Sequence, residues 1–214
     1  MKLAVLASGG GSNFTSILDK VDAGILDAKV SLLVCDKPNA GCMDTAKDRG
    51  VPFVHLPPEG EARAAYDARL RDILLKEAPD LVVLAGFMRI LSPTFVDAFP
   101  GKIINIHPAL LPRHKGAHGV RDTLAAGDAR AGATTHFVTA ELDGGPLILQ
   151  ASVPVLPSDD LQSLQARVLA VEHWLLPRTI QLIAEGRVSP EGRVAPGPSW
   201  KHHPIPDADW PEGF

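Results

Sequence analysis

At 214 residues, 45% of them hydrophobic, the chain is long enough to bury the core of one domain with at most a short appendage. Its formal net charge of −4 excludes the broad basic face that nucleic-acid binding requires, so an anionic ligand has to be held locally. The two cysteines, Cys35 and Cys42, lack the spacing of a disulfide framework or a metal site. No apolar run reaches the ~18 residues of a membrane span, and the run after Met1 is too short for a secretory signal. The expectation is a metal-free, soluble, cytoplasmic protein.

In chain order, Leu3–Ala7 reads as a strand buried on both faces, as in a parallel sheet. Ser8-Gly-Gly-Gly-Ser-Asn13 follows, and Phe14, Ile17, Leu18 and Val21 then recur at helical spacing, which predicts a helix capped by Ser12 or Asn13. Strand, glycine loop and helix form the layout of an anion cradle, because glycines admit a phosphate close to free N–H groups at the positive end of the helix. The loop is not a dinucleotide fingerprint, since Phe14 stands where a third glycine belongs, and it lacks the Gly-Lys-Ser/Thr of a P-loop. A small phosphate therefore suits it better than NAD, and Asp36 after the run Val30–Val34 is poor support for a ribose ligand. A tight turn with no ligand fits the same residues.

Alternation continues with a helix over Asn39 to Arg49, a short strand at Pro52–His55, a charged amphipathic helix over Glu61 to Lys76 and a buried strand at Leu81–Leu84. Such alternation predicts a parallel sheet with right-handed crossovers and ligands at the carboxyl ends of its strands. By that rule the Gly9–Asn13 loop, the Gly86–Leu91 turn and the end of the next strand face one crevice. That strand, Ile103–His107, sends Asn105 and His107 to the same side before Pro108 stops it. Two hydrogen-bonding side chains on a rigid exit suit stabilisation of charge developing on an oxygen. A buried strand ending in a capped turn also fits.

Beyond it, Gly119 to Gly127 reads as a short helix, and Ala133–Val138 and Leu147–Val155 as strands whose brief connection makes them antiparallel. Ser158 is expected to cap a long helix with Asp159 and Asp160 in its first turn, and Pro177 to kink or split it. From Gly186 to Phe214 the chain turns Pro- and Gly-rich, with a weak hairpin around Pro190-Glu-Gly192 and a solvated His202/His203 pair. Asp143, in a tight Asp-Gly-Gly turn, either caps that turn or meets His107, where its carboxylate would favour the imidazolium and raise the histidine's pKa. A protonated His107 beside Asn105 stabilises an oxyanion, which asks for acyl-type transfer; no serine elbow or well-placed cysteine supplies a nucleophile.

Gly11-Ser-Asn13, Leu84-Ala-Gly-Phe-Met-Arg-Ile-Leu-Ser92, Asn105-Ile-His-Pro-Ala-Leu-Leu-Pro112, His136-Phe-Val138 and Glu141-Leu-Asp-Gly-Gly-Pro146 together resemble the phosphoribosylglycinamide formyltransferase family of folate-dependent enzymes. The likeness runs in order from the first strand to about Pro177. It implies an α/β fold, a Rossmann-like and mostly parallel twisted sheet with helices on both faces and an antiparallel strand in the C-terminal part. It implies one formyltransferase domain over residues 1–186, phosphate-binding in its N-terminal half and folate-binding in its C-terminal half, with residues 187–214 as a tail. The activity implied is formyl transfer from 10-formyltetrahydrofolate, a co-substrate, to the amine of 5′-phosphoribosylglycinamide in purine synthesis, in a monomer or homodimer.

Carried over by position, Gly11, Ser12 and Asn13 hold the substrate phosphate, and Asn105, His107 and Asp143 form the catalytic set. Leu169, Ala170, Val171 and Glu172 contact the glycinamide and ribose. Arg63, Met88, Arg89, Ile90, Leu91, Asn105, Thr139, Ala140, Glu141, Leu142 and Asp143 line the folate pocket, and His118 and His136 stand behind the catalytic set; a core histidine is the rival reading of His136. His114 departs from the aromatic that the resemblance leads one to expect. Three rivals share features: methionyl-tRNA formyltransferase, which goes with a longer chain and an RNA-binding domain; formyltetrahydrofolate hydrolase, which goes with an added N-terminal regulatory domain; and a non-catalytic phosphate sensor.

Overall fold

The structure is a computed structural model that describes residues 1–197 and 209. Its elements are β1 (Lys2–Ala7), α1 (Ser12–Asp22), β2 (Lys29–Cys35), α2 (Gly41–Asp48), β3 (Phe53–His55), α3 (Arg63–Glu77), β4 (Leu81–Leu84), α4 (Pro93–Asp97), β5 (Ile103–His107), α5 (Gly119–Ala125), β6 (Arg130–Phe137), β7 (Leu147–Pro154) and α6 (Leu161–Ala184). The strands hydrogen-bond in the order β3-β2-β1-β4-β5-β6-β7. Strand pairs β1–β2, β1–β4, β2–β3 and β4–β5 are parallel, and β6–β7 is antiparallel. This is the mostly parallel α/β sheet expected from the alternation of apolar runs.

The chain divides into two compact units, Met1–Asn105 with Val138–Glu141, and Ile106–Phe137 with Leu142 onward. In the first unit Leu3 to Ala7 and Leu81 to Val83 are almost wholly buried, as the uninterrupted apolar runs require of strands covered on both faces. Tyr66, Leu70 and Leu74 of α3 and Phe95 of α4 pack with Leu6, Val34 and Ile103 in one cluster. Its chain order reverses direction at β1: β2 and β3 lie to one side and β4 to the other. That reversal is the place where open α/β sheets leave a crevice at their carboxyl ends. In the second unit α6 packs against β6 and β7, burying Leu164, Val168, Leu175 and Ile180 completely or nearly so.

Several local expectations are corrected. The N-cap of α1 is Gly11, at φ +78°, rather than Ser12 or Asn13; the left-handed turn that glycine permits sets the entry angle, and Ser12 begins the helix. The cap of α6 is Asp160, not Ser158: the Asp160 carboxylate accepts the Ser163 N–H at 2.7 Å, and the Ser163 hydroxyl accepts the Asp160 N–H at 3.0 Å. Asp159 is diverted, accepting the Leu156 N–H at 2.7 Å and pairing with Arg167. Pro177 lies buried inside one helix and does not split it. The short helix α4 follows Ser92 at its N-cap and Pro93 at its first position. The expected hairpin near Pro190 is present as a bridge between Val188 and Val194. The His202/His203 pair lies outside the described residues. No described helix is long and apolar enough to cross a membrane.

Candidate active site

In the first unit the loop after β1 is packed against the start of α2. The Cys42 N–H donates to the Gly9 carbonyl at 3.2 Å, and a Cβ on Gly11 would stand 2.5 Å from the Cys42 Cβ. Only glycine fits there, both by space and by its φ of +78°. Gly9, Gly10 and Ser12 are exposed and Asn13 is buried. The first turn of α1 carries no acidic residue, so nothing there opposes an anion at the helix N-terminus.

The same loop is tied to the turn after β4. Ser8 N–H donates to Gly86 O at 3.0 Å, and Met88 N–H donates to Ser8 Oγ at 2.8 Å. The far end of that turn is pinned by Asp67, whose carboxylate accepts the Ser92 N–H at 2.7 Å. Between the two pins Met88 and Ile90 stand 68% and 56% exposed, Leu91 is buried, and the Arg89 guanidinium lies 4.0 Å above the Tyr66 ring. Asn105, half-buried, ends the part of β5 registered with β4. Val138 N–H donates to Ile103 O at 2.9 Å, which places exposed Thr139, Ala140 and Glu141 after it in this unit. Arg63 is exposed at the first position of α3. The glycine loop, the 86–91 turn and Asn105 thus sit at the carboxyl ends of neighbouring strands.

In the second unit His107, 4% exposed, lies two residues past Asn105 on β5. Its Nδ1 faces Asp143 Oδ2 at 3.6 Å, and its Nε2 donates to the His114 carbonyl at 2.8 Å. Asp143 sits at φ +48° and accepts the Gly116 N–H at 2.8 Å through Oδ2, while its Oδ1 is 3.7 Å from His136 Nε2. His136 donates from Nδ1 to the Phe137 carbonyl at 2.8 Å. Burial pushes the His136 ring below its ordinary value; the carbonyl bond and Asp143 offset this only in part. Asp143 therefore has a histidine on each side, and His107 has an oxygen facing each nitrogen.

Not every expected residue enters that cluster. His118 is exposed at the N-cap of α5. Glu172 is 7% exposed on α6, and the neighbouring Val171 is wholly buried in the core of the unit. Leu142 is exposed beside Asp143. Sequence reasoning missed Asp128, whose carboxylate meets His114 Nε2 at 2.7 Å and Arg113 at 2.5 Å. Nothing in the local pattern signals it, because the contact joins positions fourteen apart across a helix. Among the described residues no group of three or more His, Cys, Asp or Glu side chains is arranged to hold a metal ion.

Comparison with known proteins agrees with this geometry. The family model described as "Formyl transferase" matches residues 1–180. A phosphoribosylglycinamide formyltransferase of Escherichia coli is 43% identical over 189 residues, covering 88% of this chain and 89% of its own. The Haemophilus influenzae protein of the same name is 38% identical over 195 residues, covering 91% and 92%. The crystal structure of glycinamide ribonucleotide transformylase 1 from Symbiobacterium toebii superposes with a TM-score of 0.87 at 43% identity, over 90% of this chain and 92% of that one. The chain belongs to the formyl transferase family, and the relatives that match it nearly end to end are phosphoribosylglycinamide formyltransferases.

Proposed function

We propose that the chain transfers the formyl group of 10-formyltetrahydrofolate to the glycinamide amine of 5′-phosphoribosylglycinamide. Membership of the family implies a folate co-substrate; the choice of 10-formyltetrahydrofolate is part of the proposal. The observation that carries the reading is His107, buried on β5 two residues past Asn105, with Asp143 facing its Nδ1 at 3.6 Å.

In this reading the amine adds directly to the formyl carbon, and the tetrahedral adduct collapses by breaking the bond from that carbon to N10, so that tetrahydrofolate leaves with the proton the amine has given up. A protonated His107 and the amide of Asn105 donate to the oxygen on which negative charge develops, and the Asp143 carboxylate keeps the ring charged and helps relay the proton released by the amine. Gly11, Ser12 and Asn13 hold the substrate phosphate at the start of α1. Leu169 to Glu172 approach the glycinamide and ribose, with Glu172 as the polar member. Met88 and Ile90, exposed on a turn pinned at both ends, offer a flat ring system an apolar face, and Arg63, Arg89, Leu91, Thr139, Ala140, Glu141 and Leu142 complete the folate-binding set. His136 supports the catalytic set from behind, its Nε2 facing Asp143 at 3.7 Å. Residues 1–186 carry the activity and residues 187–214 form a tail. The protein works in the cytoplasm as a monomer or homodimer, with small molecules as its partners.

The test mixes the protein with phosphoribosylglycinamide and 10-formyltetrahydrofolate and follows deformylation of the folate. Turnover is expected to fall by roughly two decades or more in His107→Ala and in Asp143→Asn, the scale set by loss of charge stabilisation. Equal deformylation without the ribonucleotide would overturn the transfer in favour of hydrolysis, and full activity in His107→Ala would overturn the mechanism.

A further inference from the structure

The segment from Arg113 to Gly116 reaches both partners of the second unit's cluster. The His114 carbonyl accepts from His107 Nε2, and the Gly116 N–H donates to Asp143. A carbonyl oxygen can only accept, so while this bond stands Nε2 carries a proton. In the neutral ring the single proton is then fixed on Nε2, and Nδ1 is left as the nitrogen facing Asp143.

Two features show that the carbonyl is held in place from outside. His114 adopts φ +54°, a left-handed conformation that a side chain with a Cβ enters only against strain. Its ring nitrogen Nε2 meets Asp128 Oδ2 at 2.7 Å, with both side chains only 14% and 12% exposed. Arg113, the other partner of that carboxylate, is 63% exposed and so contributes less. The His114 hydrogen bond, ahead of Arg113, holds the Asp128 carboxyl below its ordinary range against the opposing effect of burial. A cavity of about 260 Å³, lined in part by Leu110, Thr123 and Ala129, adjoins the pair, so packing alone does not fix the ring.

We infer that His114 and Asp128 are positioning residues: their side-chain pair holds the 114 carbonyl on Nε2 of His107 and thereby assigns the chemistry of that ring to Nδ1. The inference rests on the proposed function for its kinetic consequence, while the state of the ring can be read without any turnover.

The experiment labels the histidines of the full chain with 15N and records the ring resonances of His107 alongside steady-state kinetics. Once the ring is neutral, the expected signature in the wild type is a protonated Nε2 and an unprotonated Nδ1. Asp128→Ala is expected to shift the ring toward a mixture of tautomers and to lower kcat by about tenfold, as a small misplacement of a reacting group does, with KM for both substrates close to wild type. His114→Gly, which keeps the carbonyl and adopts a positive φ freely, is expected to do the same and serves if Asp128→Ala fails to fold. Asp128→Asn retains an acceptor for the His114 ring and is expected to restore most of both properties, whereas Arg113→Ala should leave the ring resonances near those of the wild type. A neutral ring with its proton on Nδ1 in the wild type, or ring resonances unmoved in the folded variants, would overturn the assignment. Absence of formyl transfer by the wild type would overturn the proposed function, and the ring spectrum would still decide the positioning.

Discussion

At the scale of single residues, backbone conformation decides more than side-chain chemistry. Gly11 was legible as part of a loop that lets backbone approach a ligand, but its use as helix cap was not, because the φ of +78° follows from the way Cys42 closes beneath it. Gly11→Ala combines that angle with a 2.5 Å approach to the Cys42 Cβ and is expected to cost on the order of 2 kcal/mol in urea unfolding. Gly10→Ala, with nothing within 4 Å of its added methyl group, should stay within about 0.5 kcal/mol of the wild type. The meeting of His107 and Asp143 was readable only as one of two alternatives, since a turn-capping aspartate and a histidine partner look the same in sequence. In the structure Asp143 faces the ring, and the oxygen that does so also accepts the N–H of Gly116 from a separate loop.

At the scale of elements, periodicity found the strands and the longer helices, and errors gathered at their ends. Ser92-Pro93 carried a legible start signal for α4, a hydroxyl cap followed by proline at the first helical position, but five residues are too few to show a period. Pro177 predicts a kink or a split, yet the face of α6 packed on β6 and β7 outweighs one lost backbone bond, and the helix runs through without splitting. At its start, Asp160 and Ser163 form a reciprocal cap, and the Ser163 backbone and hydroxyl together hold the Asp160 carboxyl below its ordinary value. A carboxylate depressed in this way stabilises the fold above its unfolded value of about 3.9, and the contribution disappears as pH falls through the lower folded value. Asp160→Ala should therefore lower the thermal midpoint at neutral pH, and its difference from the wild type should shrink progressively as pH falls below about 3.9.

At the scale of the whole molecule, alternation of strand and helix predicts a parallel sheet but not its order; that β4 rather than β3 neighbours β1 depends on long-range pairing no local pattern encodes. Nor could the sequence show that the chain returns at Val138–Glu141 to the first unit before closing the second. Proton uptake is likewise a property of the folded and unfolded chain together. His136 is held neutral by burial, so the unfolded chain takes up a proton that the folded one resists. Stability is expected to decline as pH drops below about 6.5 until the folded ring titrates too, and His136→Asn, which preserves a donor for the Phe137 carbonyl, should remove part of that slope. Urea midpoints at neutral and mildly acidic pH measure it.

The cysteine packed against Gly11 through its Cβ gives the loop a kind of chemical quiet. A cysteine near exposed backbone amides and a helix start is ordinarily coaxed toward thiolate, the form that peroxides and electrophiles attack. Here burial, reinforced by Cys35, pushes the Cys42 thiol up to about 12, so it remains neutral at and well above neutral pH. The chain can use a small, dense side chain as a floor for its glycines without exposing that floor to corrosion.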